Sequence, residues 1–122
     1  MGQQAFGKSA LEKFHNESDH EVVAVYCAPD KEGKPLDPVK EYAQSVNLPV
    51  FQPSNFKDQE VLDQMKSHDA DLCVMAYVII FVPEAARNIP KQGSVCFHPS
   101  LLPLHRGPSS INWPIIGGAT KT

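Results

Sequence analysis

The chain has little cysteine, no surplus of positive charge and no long uninterrupted apolar run. Its three cysteines, Cys27, Cys73 and Cys96, are odd in number and have no C-x-x-C spacing, so they suggest neither a disulfide framework nor the usual thiolate zinc site. All three lie in apolar stretches that read as strands, and they are expected to be small buried hydrophobes in a reducing cytoplasm. Lys and Arg number 11 against 14 Asp and Glu, a formal charge of −3, and the cations are scattered. No global field draws nucleic acid, and any RNA contact must come from a local patch. The longest apolar run, Leu72 to Val82, is too short to cross a bilayer. Met1-Gly2-Gln3-Gln4 lacks the basic start and apolar core of a signal peptide, and Phe6 stands where N-myristoylation wants Ser or Thr. His15, His20, His68 and His105 show no metal-ligand spacing, and no metal site is expected.

What is present fits one domain over residues 1–122, in which strand-like runs alternate with helical patterns, the mark of βαβ units and a mainly parallel sheet. A short helix is expected from Gly7, with Ala10, Leu11 and Phe14 on one face. Strands are expected at Glu21–Cys27 and Leu48–Phe51. Asp37-Pro38 reads as an N-cap followed by proline at the first helical position, and Val39, Tyr42, Ala43 and Val46 carry the stripe of that second helix. Val61, Leu62 and Met65 place a third helix between Lys57 and His68. Leu72–Ile80 reads as a strand buried on both faces, followed by a helical turn after Pro83 and a strand at Ser94–Phe97. Ile111 to Ile116 suggest a last helix ending at Gly117-Gly118, in which Pro114 is tolerable only near the start. Gly2 to Gly7 is expected to lack both the G-x-G-x-x-G spacing and the lysine of a phosphate-binding loop, and it reads as a tight strand-to-helix turn.

The most specific segment is His98-Pro99-Ser100-Leu101-Leu102-Pro103, continued by Leu104-His105-Arg106-Gly107-Pro108. It places an imidazole on a proline-bounded loop directly after an apolar strand, where α/β enzymes concentrate their chemistry. This H-x-S-L-L-P run resembles the signature of the formyltransferases that use 10-formyltetrahydrofolate. Gly2-Gln3-Gln4-Ala5-Phe6-Gly7, Pro49-Val50-Phe51-Gln52-Pro53 and Ala76-Tyr77 extend the resemblance over nearly the whole chain.

The resemblance implies an α/β, Rossmann-like formyltransferase fold and 10-formyltetrahydrofolate as formyl donor. It implies a catalytic set of asparagine, histidine and a downstream aspartate. His98 matches the histidine, Cys96 stands where the asparagine would be, and the aspartate would lie beyond Thr122. A thiol is a weaker donor than a carboxamide for an oxyanion, and with Val95 and Phe97 beside it Cys96 is expected in a packed site. The folate pterin is expected against the loop Tyr77, Val78, Ile79, Ile80, Phe81, Val82 and Pro83, with Leu72 to Ala76 as core and Ser100, Leu101, Leu102 and Pro103 closing the other side. Arg106-Gly107 is read as shaping the loop. Because the fold would start with a central strand, the sequence is expected to be a domain cut at both ends, with its first strand and C-terminal part missing and a tendency to self-associate.

Three functions remain open on these residues. The first is formyl transfer to an amine, that of initiator methionyl-tRNA, as in the methionyl-tRNA formyltransferase branch. The second, kept open by Cys96 and by the short, charge-balanced loop Asp30–Pro38, is the formyl-hydrolysing domain of a formyltetrahydrofolate dehydrogenase. The third is a non-catalytic fragment.

Overall fold

A computed structural model describes residues 1–17 and 19–122. Helices and short parallel strands alternate along the chain: α1 Gln4–Asn16, β1 Val25–Tyr26, α2 Pro38–Ser45, β2 Val50–Phe51, α3 Gln59–Ser67, β3 Cys73–Met75, α4 Glu84–Arg87, β4 Ser94–Cys96 and α5 Asn112–Ile116. β1 pairs with β2 in register Val25 with Val50, and β3 pairs with β4 in register Met75 with Cys96, both parallel.

Met1 and Gly2 join the two pairs. The Gly2 amide donates to Tyr26 O at 3.0 Å, the Ala76 amide donates to Met1 O at 2.9 Å, and the Met1 ammonium donates to Val74 O at 2.7 Å. The ladder therefore runs β2, β1, Met1–Gly2, β3, β4, and two residues occupy the place where a whole central strand was expected. The Met1 amino group is held against β3, and desolvation lowers its pKa from the ordinary value.

Strand alternation sends neighbouring side chains to opposite faces. Val25 and Cys27 pack with Val39, Ala43 and Leu11 on the side of α1 and α2, whereas Tyr26 and Met75 pack with Phe56, Met65 and Ala86 on the side of α3 and α4. Helices thus cover both faces of the sheet, as in α/β proteins.

Local chemistry explains most boundaries. Asp37 accepts from the Val39 amide at 2.9 Å with Pro38 at the first helical position. Asn55 Oδ1 accepts from the Lys57 and Asp58 amides just ahead of α3. Pro114 sits in the first turn of α5, where its missing N–H costs nothing.

Three expectations need correction. The strand expected at Glu21–Cys27 pairs only at Val25–Tyr26, because β2 offers a two-residue partner and the preceding residues border an open cleft. Leu72 is 43% exposed rather than buried on both faces, because it flanks that same cleft. Of the three cysteines only Cys27 is buried; Cys73 is half-buried and Cys96 exposed. The packed surroundings expected for Cys96 are absent, since Val95 and Phe97 are also more than half exposed at the edge of the described sheet.

Candidate active site

The register of β3 on β4 places two loops at the same, carboxyl end of the sheet, where ligands of open parallel sheets bind. The Phe97 amide donates to Met75 O at 3.0 Å, continuing the ladder up to His98. The chain then closes on itself. His98 Nε2 lies 2.9 Å from His105 O, and Ser100 Oγ donates to Leu104 O at 2.9 Å and to His105 O at 3.4 Å. The left-handed backbone of His105 and Gly107, at φ of 52° and 86°, turns the chain back toward the imidazole. A carbonyl oxygen only accepts, so Nε2 must carry the proton in that bond. Nδ1 of the neutral ring then keeps its lone pair, and His98 is half-buried and restrained.

Across from it, Tyr77 leaves β3 with φ of 61°. The next residues divide by alternation: Val82 is buried in the core and Val78 and Ile80 pack partly against it, whereas Tyr77, Ile79 and Phe81 are 47%, 72% and 72% exposed. Pro83 caps α4. On the histidine loop Leu101 and Leu102 are exposed and Ser100 is half-buried, with Pro103 at the surface. Two exposed apolar edges therefore flank His98. A third apolar element, not foreseen from the sequence, is Phe6 of α1, whose ring lies 4.7 Å from that of Phe97. Only the tertiary fold brings residues so distant in sequence together.

Cys96 lies two residues before His98, with Sγ 3.4 Å from Phe97 O. The thiol donates to its own neighbour's carbonyl, and it offers a reacting oxygen less than a carboxamide would. Arg106 is exposed. In the loop before α2, Asp30 forms an ion pair with Lys40 and accepts from Gln52, which together hold its carboxyl below the usual range. Asp37 is occupied as a cap, leaving Lys31 and Lys34 with Glu32 at the exposed tip.

The expectation that this segment lacks the lysine of a phosphate-binding loop needs correction, because Lys8 follows Gly7 and Gly2 to Ser9 match the spacing G-x-x-x-x-G-K-S. The geometry opposes that role. α1 already begins at Gln4, so Gly7 and Lys8 lie inside the helix, and Lys8 pairs with Glu12 at 3.4 Å. Both Asp37 carboxylate oxygens accept from the Gln4 amide at 3.0 Å, filling the helix start with an anion of the protein's own. Gly2 and Gly7 serve packing instead: a Cβ on Gly2 would lie 2.7 Å from Ala76 O. Among the described residues no group of three or more His, Cys, Asp or Glu could hold a metal ion, and no helix is long and apolar enough to cross a membrane.

An α/β chain with a loop histidine at the carboxyl end of a parallel strand places that side chain where open parallel sheets bind their ligands. Residues 1–122 match the sequence model of the formyl transferase family, and the chain belongs to that family. It is 39% identical over 127 residues to a methionyl-tRNA formyltransferase of Fusobacterium nucleatum, covering 100% of this chain and 40% of that protein. It is 38% identical over 126 residues to the cytosolic 10-formyltetrahydrofolate dehydrogenase of Mus musculus, covering 99% of this chain and 14% of that protein. The crystal structure of phosphoribosylglycinamide formyltransferase from Bacillus halodurans superposes with a TM-score of 0.75 at 20% identity, covering 97% of this chain and 63% of that one. This likeness establishes the formyltransferase fold. The chain spans well under half the length of the sequence relatives it matches.

Proposed function

We propose that the protein takes the formyl group from 10-formyltetrahydrofolate at His98 and passes it to an amine, that of initiator methionyl-tRNA. The observation that carries this reading is the restrained His98 at the carboxyl end of β4, flanked by the exposed apolar edges of Tyr77–Phe81 and Leu101–Leu102. A flat heterocycle is bound by such a wall when backbone donors and acceptors meet its polar edge. Residues 77–83 and Ser100–Pro103 supply both kinds of group.

In the reaction the acceptor nitrogen attacks the formyl carbon and an oxyanion develops. The bond from that carbon to N10 of the folate then breaks, and N10 leaves with a proton. The attacking amine must lose a proton. His98 Nδ1 is free to accept it while Nε2–H remains on His105 O, or, once protonated, to donate to the oxyanion. Cys96 adds a weak donor beside it.

Water as the acceptor is a second reading, favoured by two observations. Cys96 lacks the carboxamide that would hold an oxyanion firmly, and the short loop before α2 offers tRNA phosphates only Lys31 and Lys34, with Glu32 between them. Incubating the protein as the cell makes it with 10-formyltetrahydrofolate labelled in the formyl carbon separates the readings. Label in formyl-methionyl-tRNA supports the first and label in free formate the second, while retention of label on the folate with both acceptors present rejects both.

A further inference from the structure

Gln3 is a buried polar residue, 6% exposed, and although it occupies the N-cap position of α1 its side chain makes no cap hydrogen bond. Asp37 has taken that task, accepting from the Gln4 amide with both carboxylate oxygens. Gly2 turns toward α1, where a Cβ would meet Gly7 Cα at 3.2 Å, so alternation turns Gln3 to the opposite face of the sheet. There it lines a notch of about 20 Å³ with Ala28, Phe56, Val78 and Ile80. The Tyr26 hydroxyl beside it is engaged by Gln64 and His68, and Cys27 packs with Val39 on the α1 side. Among the described residues lining the notch, Gln3 brings the one side chain with hydrogen-bonding capacity to spare. Burying a carboxamide costs stability until a partner meets it.

The notch shares its level with the histidine. Gly2 bridges Ala76 and Met75 pairs with Cys96, so Gln3, Tyr77 and His98 follow at one level on adjacent segments of the ladder. Phe97 turns its ring to Phe6 of α1, so alternation turns His98 to the same face as Gln3. Two strand spacings separate their backbones, on the order of 10 Å.

We propose that Gln3 is the acceptor-side residue of the site, holding the nucleophile by one hydrogen-bonding atom, a water oxygen or an amine nitrogen, on the β1 flank of the formyl group. This rests on the reading that places formyl transfer at His98. Size and place select the occupant. A volume of about 20 Å³ takes one water-sized group and no heterocycle ring. Ala28 follows β1 and opens the loop to α2, so the notch lies across the site from Leu101 and Leu102. Gln3 Oε1 accepts a hydrogen bond from the nucleophile, which leaves the lone pair for the formyl carbon. The new bond to that carbon forms, the bond to N10 breaks, His98 Nδ1 takes the nucleophile's proton and N10 leaves with one.

The test compares the wild type with Gln3→Met, which keeps the length of the side chain and removes its hydrogen bonds, in the protein as the cell makes it. With formyl-labelled 10-formyltetrahydrofolate, kcat for the acceptor in use should fall by about tenfold or more, while the affinity for 10-formyl-5,8-dideazafolate stays within about twofold. Loss of formate release identifies water as the occupant, and loss of formyl-methionyl-tRNA identifies the amine. Tm should stay the same or rise, because the variant no longer buries an unpaired carboxamide. Unchanged kcat with both acceptors, a matching fall in analogue affinity, or a lower Tm, the mark of a merely structural bond, would overturn the proposal. A second readout needs no turnover. In the wild type carrying isotope-labelled glutamine and saturated with the analogue, the Gln3 Nε2 protons, assigned by their loss in Gln3→Met, should show cross-relaxation to a bound water. Its absence overturns the proposal as well. If the wild type passes label to neither acceptor, the reading at His98 fails and takes the acceptor role with it, while the water contact still decides whether Gln3 holds the one-atom site.

Discussion

Replacing Gly7 by alanine sets two opposing effects against each other. Gly7 lies inside α1, where alanine is better than glycine by about 1 kcal/mol. The added Cβ, however, would lie 2.9 Å from Val39 Cγ2, 3.1 Å from the Gly2 carbonyl carbon and 3.2 Å from Ala76 O. Two of these neighbours are backbone in the ladder that joins the two strand pairs. The third belongs to a valine that is 2% exposed. None can yield cheaply, so the cost falls at the upper end of overpacking, about 3 kcal/mol. The balance is a loss of about 2 kcal/mol, or a drop in Tm of roughly 8 °C for a chain of this size. Thermal and urea unfolding followed by far-UV circular dichroism measure it, with Ser9→Ala, at an exposed position of the same helix, as the control expected to gain about 0.5 kcal/mol from propensity. If Gly7→Ala also stabilises, the close approach of α1 to Gly2 and Ala76 is wrong.

His98→Ala, assayed in the protein as the cell makes it, should abolish formyl release while leaving folate affinity within about tenfold, because the imidazole serves the transition state more than the ground state; unchanged kcat removes His98 from the mechanism. Cys96→Asn should fold normally, since Cys96 is exposed, and should raise transfer to an amine, one good oxyanion donor being worth roughly 3 kcal/mol; a variant that fails to fold would mean the site is packed after all. Burial pushes the Cys27 thiol up from 9.0 to about 11, with Asp37 adding to the rise. The unfolded chain therefore loses this proton first, and the contribution to stability is complete below about pH 9 and lost as pH rises through about 11. Urea midpoints between these values should fall for the wild type and fall less for Cys27→Ala; identical slopes would show that the thiol is not buried as described.

Elements fixed by neighbours in sequence were legible in it, and those fixed by distant contacts were not. Asp37-Pro38 announces α2 because cap and first turn are contiguous, and Gly117 follows α5 where the sequence stops it. The start of α1 escaped detection, because the carboxylate that caps Gln4 belongs to Asp37 across the fold. The run Glu21–Cys27 has strand composition, but a strand is a pairing, and only its end pairs: Val25 and Tyr26 in the ladder, with the Cys27 amide donating to Phe51 O. The apolar run from Tyr77 to Val82 could not reveal which side faces inward until Met75 and Ala86 fixed the core around Val82. His98 was legible as a loop histidine after a strand. Its restraint by His105 O and the approach of Phe6 to Phe97 depend on how the loop and α1 fold back.

The central claim is that folate binds at the His98 end of the sheet and not in the cleft beside Val22 and Leu72 at the other end. Amide-resolved NMR of the 122-residue chain, titrated with the stable analogue 10-formyl-5,8-dideazafolate, tests it most directly. The account predicts shifts confined to residues 77–83 and 98–102, with Phe6 and Phe97 moving beside them. Shifts centred on Val22, Ala24 and Leu72, or none at the His98 loop at saturating analogue, would contradict it.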